Sequence, residues 1–258
     1  MLCTRCGEDL GISSFSTPRY AADSPRSGSE PLCAPCRLAP PAFVKAAAYG
    51  LYDDRLRGLL HLLKYSGMAP IATGLGPLLA NAIGAFAEAW DRNPDRSPAV
   101  GGPETVLAIP VPMHASKRRR RGFNHAELLA RAAIAELRRR HPARPLRLEP
   151  ALLERRKATA SQAGLSASQR RRNLRGAFFA PSPAAVAGRT VLLIDDIYTT
   201  GATARACSRA LRSAGAGAVY VATVARAQRE GVAFWDAAWP AARLAAGARP
   251  ASGMEASG

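Results

Sequence analysis

Lysine is scarce in this sequence: of 36 basic residues only Lys45, Lys64, Lys117 and Lys157 are not arginine. Acids are scarce too, with 19 Asp and Glu against those 36, which leaves a formal net charge of +17. Such an excess admits either an acidic partner, such as nucleic acid, a phosphorylated substrate or an anionic membrane, or mere compositional drift. The Ala-, Gly- and Pro-rich background favours drift for most of the total. No apolar run reaches the roughly 18 residues of a spanning helix, so no membrane span is expected. The opening "MLCTRCGEDL" lacks a basic start followed by an apolar core. That excludes a secretory signal there and predicts a cytoplasmic protein. In that compartment five cysteines do not make a disulfide framework; they are thiols or metal ligands. Aromatics are only 6% of the chain, and just Phe178 and Phe179 lie beside a basic segment, so a stacking platform for single strands has little to build on. No internal repeat is present.

Four of the cysteines are organised. Cys3 with Cys6 and Cys33 with Cys36 form two C-x-x-C pairs, separated by 26 residues rich in Ser, Pro and Gly. Common ribbon spacing is roughly 15–20 residues. Four thiolates in two such pairs suit a closed, structural zinc site, and free or redox-active thiols are the alternative. Residues 1–40 are therefore read as a zinc-knuckle module, 41–228 as the main domain and 229–258 as a low-complexity, disordered tail. Cys207 is read as a core thiol.

The main domain alternates strands and helices. "FVKAAAYGLYD" is a strand, and "DDRLRGLLHLLKYSG" a helix with Leu56, Leu59, Leu60 and Leu63 at helical spacing. Residues 70–90 are a helix weakened by Gly74, Gly76 and Pro77. "TVLAIPVP" is a strand, "FNHAELLARAAIAELRRR" a helix capped by Asn124, and "LRLEPALLE" extended. "RRKATASQAGLSASQRRRN" is a long polar loop, and "GAFFA" a short strand. "RTVLLIDDIY", "ATARACSRALRSAG" and "AVYVATVARA" read strand, helix, strand. The order implies an α/β fold with a parallel sheet covered on both faces.

"TVLLIDDIYTTGAT" carries the chemistry. An apolar strand ends in Asp195 and Asp196, then a polar turn enters a helix. In parallel sheets ligands bind beyond the carboxyl ends of the strands. A helix start with free amides favours anions, and Gly201 lets the backbone approach one closely. Paired carboxylates before such a cradle suit a ligand with hydroxyls next to its phosphate, such as a ribose 5-phosphate. An Asp-rich strand end with a Thr cap would explain one Asp and one Thr, not the ordered set.

This stretch resembles the phosphoribosyl pyrophosphate (PRPP) signature of type I phosphoribosyltransferases. The resemblance implies a parallel sheet with a small hood. It gives Asp195 and Asp196 to the ribose hydroxyls and Thr199, Thr200, Gly201, Ala202 and Thr203 to the 5-phosphate. Together with "IPVPMHASKRRRRGFNHAELLA", "LERRKATASQAGLSASQRRRNLRGAFF" and the Cys pairs, it resembles the ComF family, which is linked to competence and DNA uptake. His125 stands where that family is expected to have Gln. The resemblance implies a pyrophosphate loop after Pro110–Pro112, with Lys117, Arg118, Arg121 and Asn124 as its residues. His114 is read as a loop histidine. It implies a lid over 155–173 with Arg156, Gln162, Arg170 and Asn173, because ribosyl transfer must exclude water. Lys64 either lies along the surface or reaches the phosphates.

The expected function is thus PRPP binding with magnesium, in a transferase of open acceptor. The alternative is a non-catalytic sensing or scaffold factor in single-stranded DNA import, with a helicase or the DNA itself as partner. A third, weaker expectation is a salvage enzyme acting on a known base.

Overall fold

A computed structural model of the chain describes residues 1–10, 30–65, 68–86, 90, 105–142, 146–157, 169 and 174–227. Most of the insert between the Cys pairs, the lid residues Gln162, Arg170 and Asn173, and the segment 229–258 lie outside the described residues.

After a helical turn α1 (Ala34–Leu38), the chain forms β1 (Lys45–Leu51), α2 (Asp54–Tyr65), α3 (Pro70–Gly84), β2 (Val106–Pro110), α4 (Ala115–Arg121), α5 (His125–Arg140) and β3 (Leu146–Leu148). A 3-10 turn at Pro150–Leu152 interrupts what the sequence suggests is one extended segment. β4 (Glu154–Arg155) and β5 (Phe178–Phe179) then pair antiparallel as a small hood. α6 (Pro183–Val186), β6 (Thr190–Tyr198), α7 (Ala202–Ser213) and β7 (Ala218–Arg226) complete the chain.

The main sheet has five parallel strands in the order β1-β7-β6-β2-β3. Its central strands read as continuous apolar runs because both faces are covered: β7 is buried at every position. Alternate residues divide between two cores. Leu107, Leu193 and Val221 face Cys207 and Leu211 of α7, the hood residue Leu153 and the four N-terminal cysteines. Ala108, Leu192 and Tyr220 face Leu60 of α2, Leu79 of α3 and Leu129 of α5. Strand β2 leads outward to β3 through α5, whereas β6 leads back to β7 through α7 on the opposite face. The order reverses between β2 and β6, so a crevice opens at their carboxyl ends. Among the described residues no helix is long and apolar enough to cross a membrane.

Two local outcomes differ from the sequence reading, for physical reasons. The arginine run is not a loop: it forms α4, whose start is capped by His114, its ring nitrogen accepting from the Ser116 amide at 3.3 Å. Four arginines fill its last turn, where cations complement the helix dipole, and Gly122 at φ 80° ends it. In α3, the glycines and Pro77 do not break the helix. Gly76 lies where α3 crosses α5: an added Cβ would stand 2.9 Å from the carbonyl carbon of Ala132. Alanine would gain about 1 kcal/mol in helix propensity but lose about 1–3 kcal/mol to overpacking. Gly76→Ala is therefore expected to lower the midpoint of thermal unfolding, whereas Gly74→Ala, which meets nothing within 4 Å, is expected to raise it.

Candidate functional site

The site stands at the carboxyl end of β6, beyond the last residue of that strand paired to β2. Pro110 pairs with Ile194, and the Val111 amide donates to the Ile194 carbonyl at 2.8 Å. Asp195 and Asp196 come next, supported only from the β7 side, where Asp195 is in register with Thr223.

Adjacent strand residues point to opposite faces, so the two aspartates meet different neighbours. Asp196 is 5% exposed and turns toward α2 and α5. There it forms an ion pair with Lys64, from the last turn of α2, and faces His125 Nε2, from the first turn of α5, at 3.5 Å. Lys64 thus lies neither along the surface nor free in the crevice; it is committed to a carboxylate. Burial opposes ionisation of Asp196, but the Lys64 ammonium and His125 hold its carboxyl well below the usual range. Asp195 accepts from the Asp196 amide at 3.0 Å. Burial, then the charge of Asp196, pushes its carboxyl well above the usual range. Burial and charge thus disfavour the ionised form of Asp195, while Lys64 and His125 favour that of Asp196. His125, Asp195 and Asp196 also have ligating atoms within 4.8 Å of one another, close enough to hold a metal ion.

The turn Thr199–Gly201 follows. Gly201 has φ 71° and ψ 10°, the left-handed region, and caps α7. A Cβ there would overlap the Tyr198 phenol ring. Conformation and space both require glycine. The Ala202 amide reaches Thr200 Oγ1 at 3.4 Å, a long contact that an anion would replace. Thr203 lies in the first turn of α7. Gly201→Ala is expected to weaken binding of any anion in this turn at least tenfold, about 1.4 kcal/mol, because the left-handed geometry alone costs a side chain about 1–2 kcal/mol. Unaltered phosphate affinity in a calorimetric titration would contradict a cradle here.

Across the crevice, Asn124 is buried and fixes the approach to α5. Its amide nitrogen donates to the Val111 carbonyl at 3.1 Å, and its oxygen accepts from the Ala126 amide at 3.1 Å. On α4, Arg118 is exposed and Arg121 stacks over Tyr65 at 4.7 Å. Lys117 is half-buried; burial first, then the charges of Arg155, Arg121 and Arg120, lower its pKa. That crowding of cations is what a bound polyanion would relieve.

The sequence pattern points to Arg156 as a site residue and not to its neighbour Arg155. On the hood, Arg156 turns outward, its guanidinium 3.6 Å from the Phe179 ring centre. Arg155 turns inward with Leu153, its guanidinium 5.5 Å from the Phe178 ring centre, and burial lowers its pKa. The alternation Leu153–Arg155 is the signal that could have found it. His125 was visible only as a departure from an expected Gln.

The cysteine pairs form a second candidate centre. Cys3, Cys6, Cys33 and Cys36 are all buried, and their Sγ atoms lie within 4.8 Å of one another. Cys6 and Cys33 Sγ are 3.6 Å apart, too far for a disulfide and close enough to share a metal.

Residues 128–240 match the phosphoribosyl transferase domain family. The parallel sheet, the hood and the crevice accordingly define a phosphoribosyltransferase-type fold. DNA utilization protein YhgH of Escherichia coli (strain K12) is 30% identical over 220 residues, 85% of this chain and 88% of that protein. Competence protein F of Haemophilus influenzae is 33% identical over 226 residues, 87% of this chain and 84% of that one. The chain belongs to the ComF family.

Proposed function

We propose that the protein binds PRPP with magnesium in the crevice and acts in the cytoplasm in the handling of imported DNA. The observation that carries this reading is the arrangement of the pair: Asp196 held by Lys64, Asp195 beside it accepting from the Asp196 amide, both standing before a glycine-capped helix start. Asp195 and Asp196 receive the 2- and 3-hydroxyls of the ribose. The Thr199, Thr200, Gly201, Ala202 and Thr203 segment receives the 5-phosphate through amides and hydroxyls. Lys117, Arg118 and Arg121 of α4 neutralise the pyrophosphate, Asn124 ties the start of α5 to Val111, and Lys64 fixes Asp196. Arg155 closes over the crevice from the hood, and Arg156, Gln162, Arg170 and Asn173 belong to a lid.

The two carboxylates offer the hard oxygen ligands magnesium takes. Bound there with PRPP, that ion would neutralise charge on the leaving pyrophosphate. The chain's own contribution is positioning and charge neutralisation as the bond between carbon 1 and the pyrophosphate oxygen breaks, its electron pair leaving with pyrophosphate. The acceptor that then bonds to carbon 1 is undefined by any residue described.

The four cysteines fit zinc. With Zn–S of about 2.3 Å, a tetrahedral site separates its sulfurs by about 3.8 Å. Four protein ligands leave no open position, so the ion would be structural. The proposed division is accordingly a zinc knuckle over 1–40, the phosphoribosyltransferase-type domain over 41–228 and a tail over 229–258.

Calorimetric titration with PRPP and magnesium tests the reading. Saturable binding to the wild type, lost in the Asp195→Asn/Asp196→Asn double variant, is expected. Equal binding in both would refute the site.

A second reading, a non-catalytic factor in single-stranded DNA import, has its own support. A groove of about 850 Å³ runs between β5 and α7, lined by Arg175, Phe179 and Arg209 among others. Phe179 is 41% exposed and carries the Arg156 guanidinium on its face. Basic groups around an open aromatic suit a nucleic-acid strand, and two relatives are named for DNA utilization and competence. On this reading oligonucleotide affinity falls steeply with salt, and Arg175→Ala flattens the slope by about 0.7 per phosphate contact removed. A salt-independent affinity would count against it.

A further inference from the structure

The four-cysteine centre and the phosphate cradle are joined by two arginines that belong to neither sequence motif. Arg205 lies in the first turn of α7, and its amide donates to the Gly201 carbonyl at 2.8 Å. Its guanidinium reaches the other way. It donates to the carbonyls of Ala39 and Pro35, the latter at 3.3 Å, and to Cys36 Sγ at 3.4 Å. Arg226 ends β7 and is 8% exposed. It donates to the Cys6 carbonyl, to Cys6 Sγ at 3.8 Å and to the Glu8 carboxylate. Its guanidinium also stands 4.6 Å above the ring centre of Tyr198. Tyr198 is held on another side by Phe43, edge to face at 6.4 Å, and its phenol is what closes the space beside Gly201.

Each arginine therefore touches a cysteine sulfur on one side and, on the other, the cradle (Arg205) or the tyrosine packed beside it (Arg226). Arg226 acts through the Tyr198 ring, Arg205 through the backbone of the turn itself. The charges are of complementary sign as well: a divalent ion with four thiolates is anionic, and the two guanidinium groups, one of them shared with Glu8, offset part of that charge. Donors of this kind around a metal–thiolate centre fix its ligands and are fixed by them.

We propose that Arg205 and Arg226 are positioning residues through which an occupied four-cysteine centre holds the phosphate cradle in its binding geometry. Withdrawing the ion frees Cys6 and Cys36 from a common point. Both arginines then lose a fixed anchor, Tyr198 is no longer clamped between Arg226 and Phe43, and the Gly201 turn loosens. The knuckle is, on this account, the outer wall of the cradle and not a detachable appendage. The inference rests on reading the crevice as a ribose-phosphate site.

The test uses the full chain in four forms: wild type, wild type stripped of metal by chelator, the same protein after zinc is restored, and Arg226→Ala with its metal content measured. Ribose 5-phosphate and inorganic pyrophosphate are titrated into each, and amide hydrogen exchange is followed without ligand. Stripping and Arg226→Ala are each expected to weaken ribose 5-phosphate about tenfold, in line with other partners of metal ligands. Zinc restores the stripped protein. Pyrophosphate, assigned to the far side of the crevice, is expected to bind equally well in all four. Amide exchange over residues 199–205 is expected to quicken in the stripped and variant proteins. Unchanged exchange there overturns the coupling, whatever binds. So does a parallel loss of pyrophosphate affinity, which would mean general unfolding. Should ribose 5-phosphate fail to bind the intact wild type, the crevice assignment falls instead, and the coupling of cradle to cysteine centre stands or falls on exchange alone.

Discussion

Asp195→Asn and Asp196→Asn, one residue apart, are expected to move the stability of the ligand-free protein in opposite directions near neutral pH. Asp196→Asn leaves Lys64 buried without its anion, a change that costs about 3–5 kcal/mol. For a chain of this size that corresponds to a fall in Tm on the order of 10 °C. Asp195→Asn removes a carboxyl that burial and its charged neighbour oppose. The Asn oxygen can still accept from the Asp196 amide, so the variant is expected to be more stable than wild type. The pH dependence separates the two. The Asp196 carboxyl titrates below its unfolded value, so its contribution is full above about pH 4 and is lost as pH falls through the lower, folded value. The Asp195 carboxyl titrates above its unfolded value. Its contribution is full below about pH 4 and is lost as pH rises through the folded value, so the advantage of Asp195→Asn should grow with pH. Melting curves from about pH 2 to pH 8 check this. Destabilisation by both variants at pH 7 would mean that Asp195 is an ordinary structural carboxylate. Both variants are expected to lose ribose-phosphate binding, so the more stable one is also inactive, the usual trade at a site built for a ligand.

The second large effect is expected at the cysteines. Cys36→Ser should abolish metal binding, lowering zinc from one per chain to none, and should cost more stability than any single change in the crevice. Structural zinc contributes roughly 10–16 kcal/mol of binding free energy in small domains. Here its ligands belong to the same buried cluster as Leu193 and Val221 of the central strands, and their loss is expected to loosen the N-terminal module and the Gly201 turn while the five-stranded sheet stays folded. Cys207 supplies the control. It is fully buried but apart from the cluster, and burial holds its thiol well above the usual range. Cys207→Ser should keep the metal and cost only about 1–3 kcal/mol for burying a hydroxyl. Equal metal content in Cys36→Ser and wild type would contradict the assignment.

The parts legible in the sequence are those whose chemistry is contiguous. β6, its two aspartates and the Gly201 turn fall within one short run, so strand, site and helix start could be read together. Asn124 was legible as a cap because capping is local. Lys64, His125 and Arg155 were not legible in their actual places, because each is delivered by a different element and meets the aspartates only through the strand order. Lys64 shows the limit well: one helix pattern serves a surface lysine and a buried one, and only the position of Asp196 decides between them. α4 was hidden because seven residues with five cations carry no apolar period. α3 is weak in the sequence because Gly76 and Pro77 disfavour an isolated helix; the close crossing with α5 overrides them. Arg205 and Arg226 sit 169 and 220 residues from the sulfurs they reach, beyond any local pattern.

The most direct test of the account is a crystal structure with ribose 5-phosphate bound. The phosphate is expected against the amides of Gly201, Ala202 and Thr203, with the ribose hydroxyls on Asp195 and Asp196. A phosphate seated instead in the groove beside Phe179 and Arg209, with the aspartates untouched, would contradict the central claim and move the function to that surface.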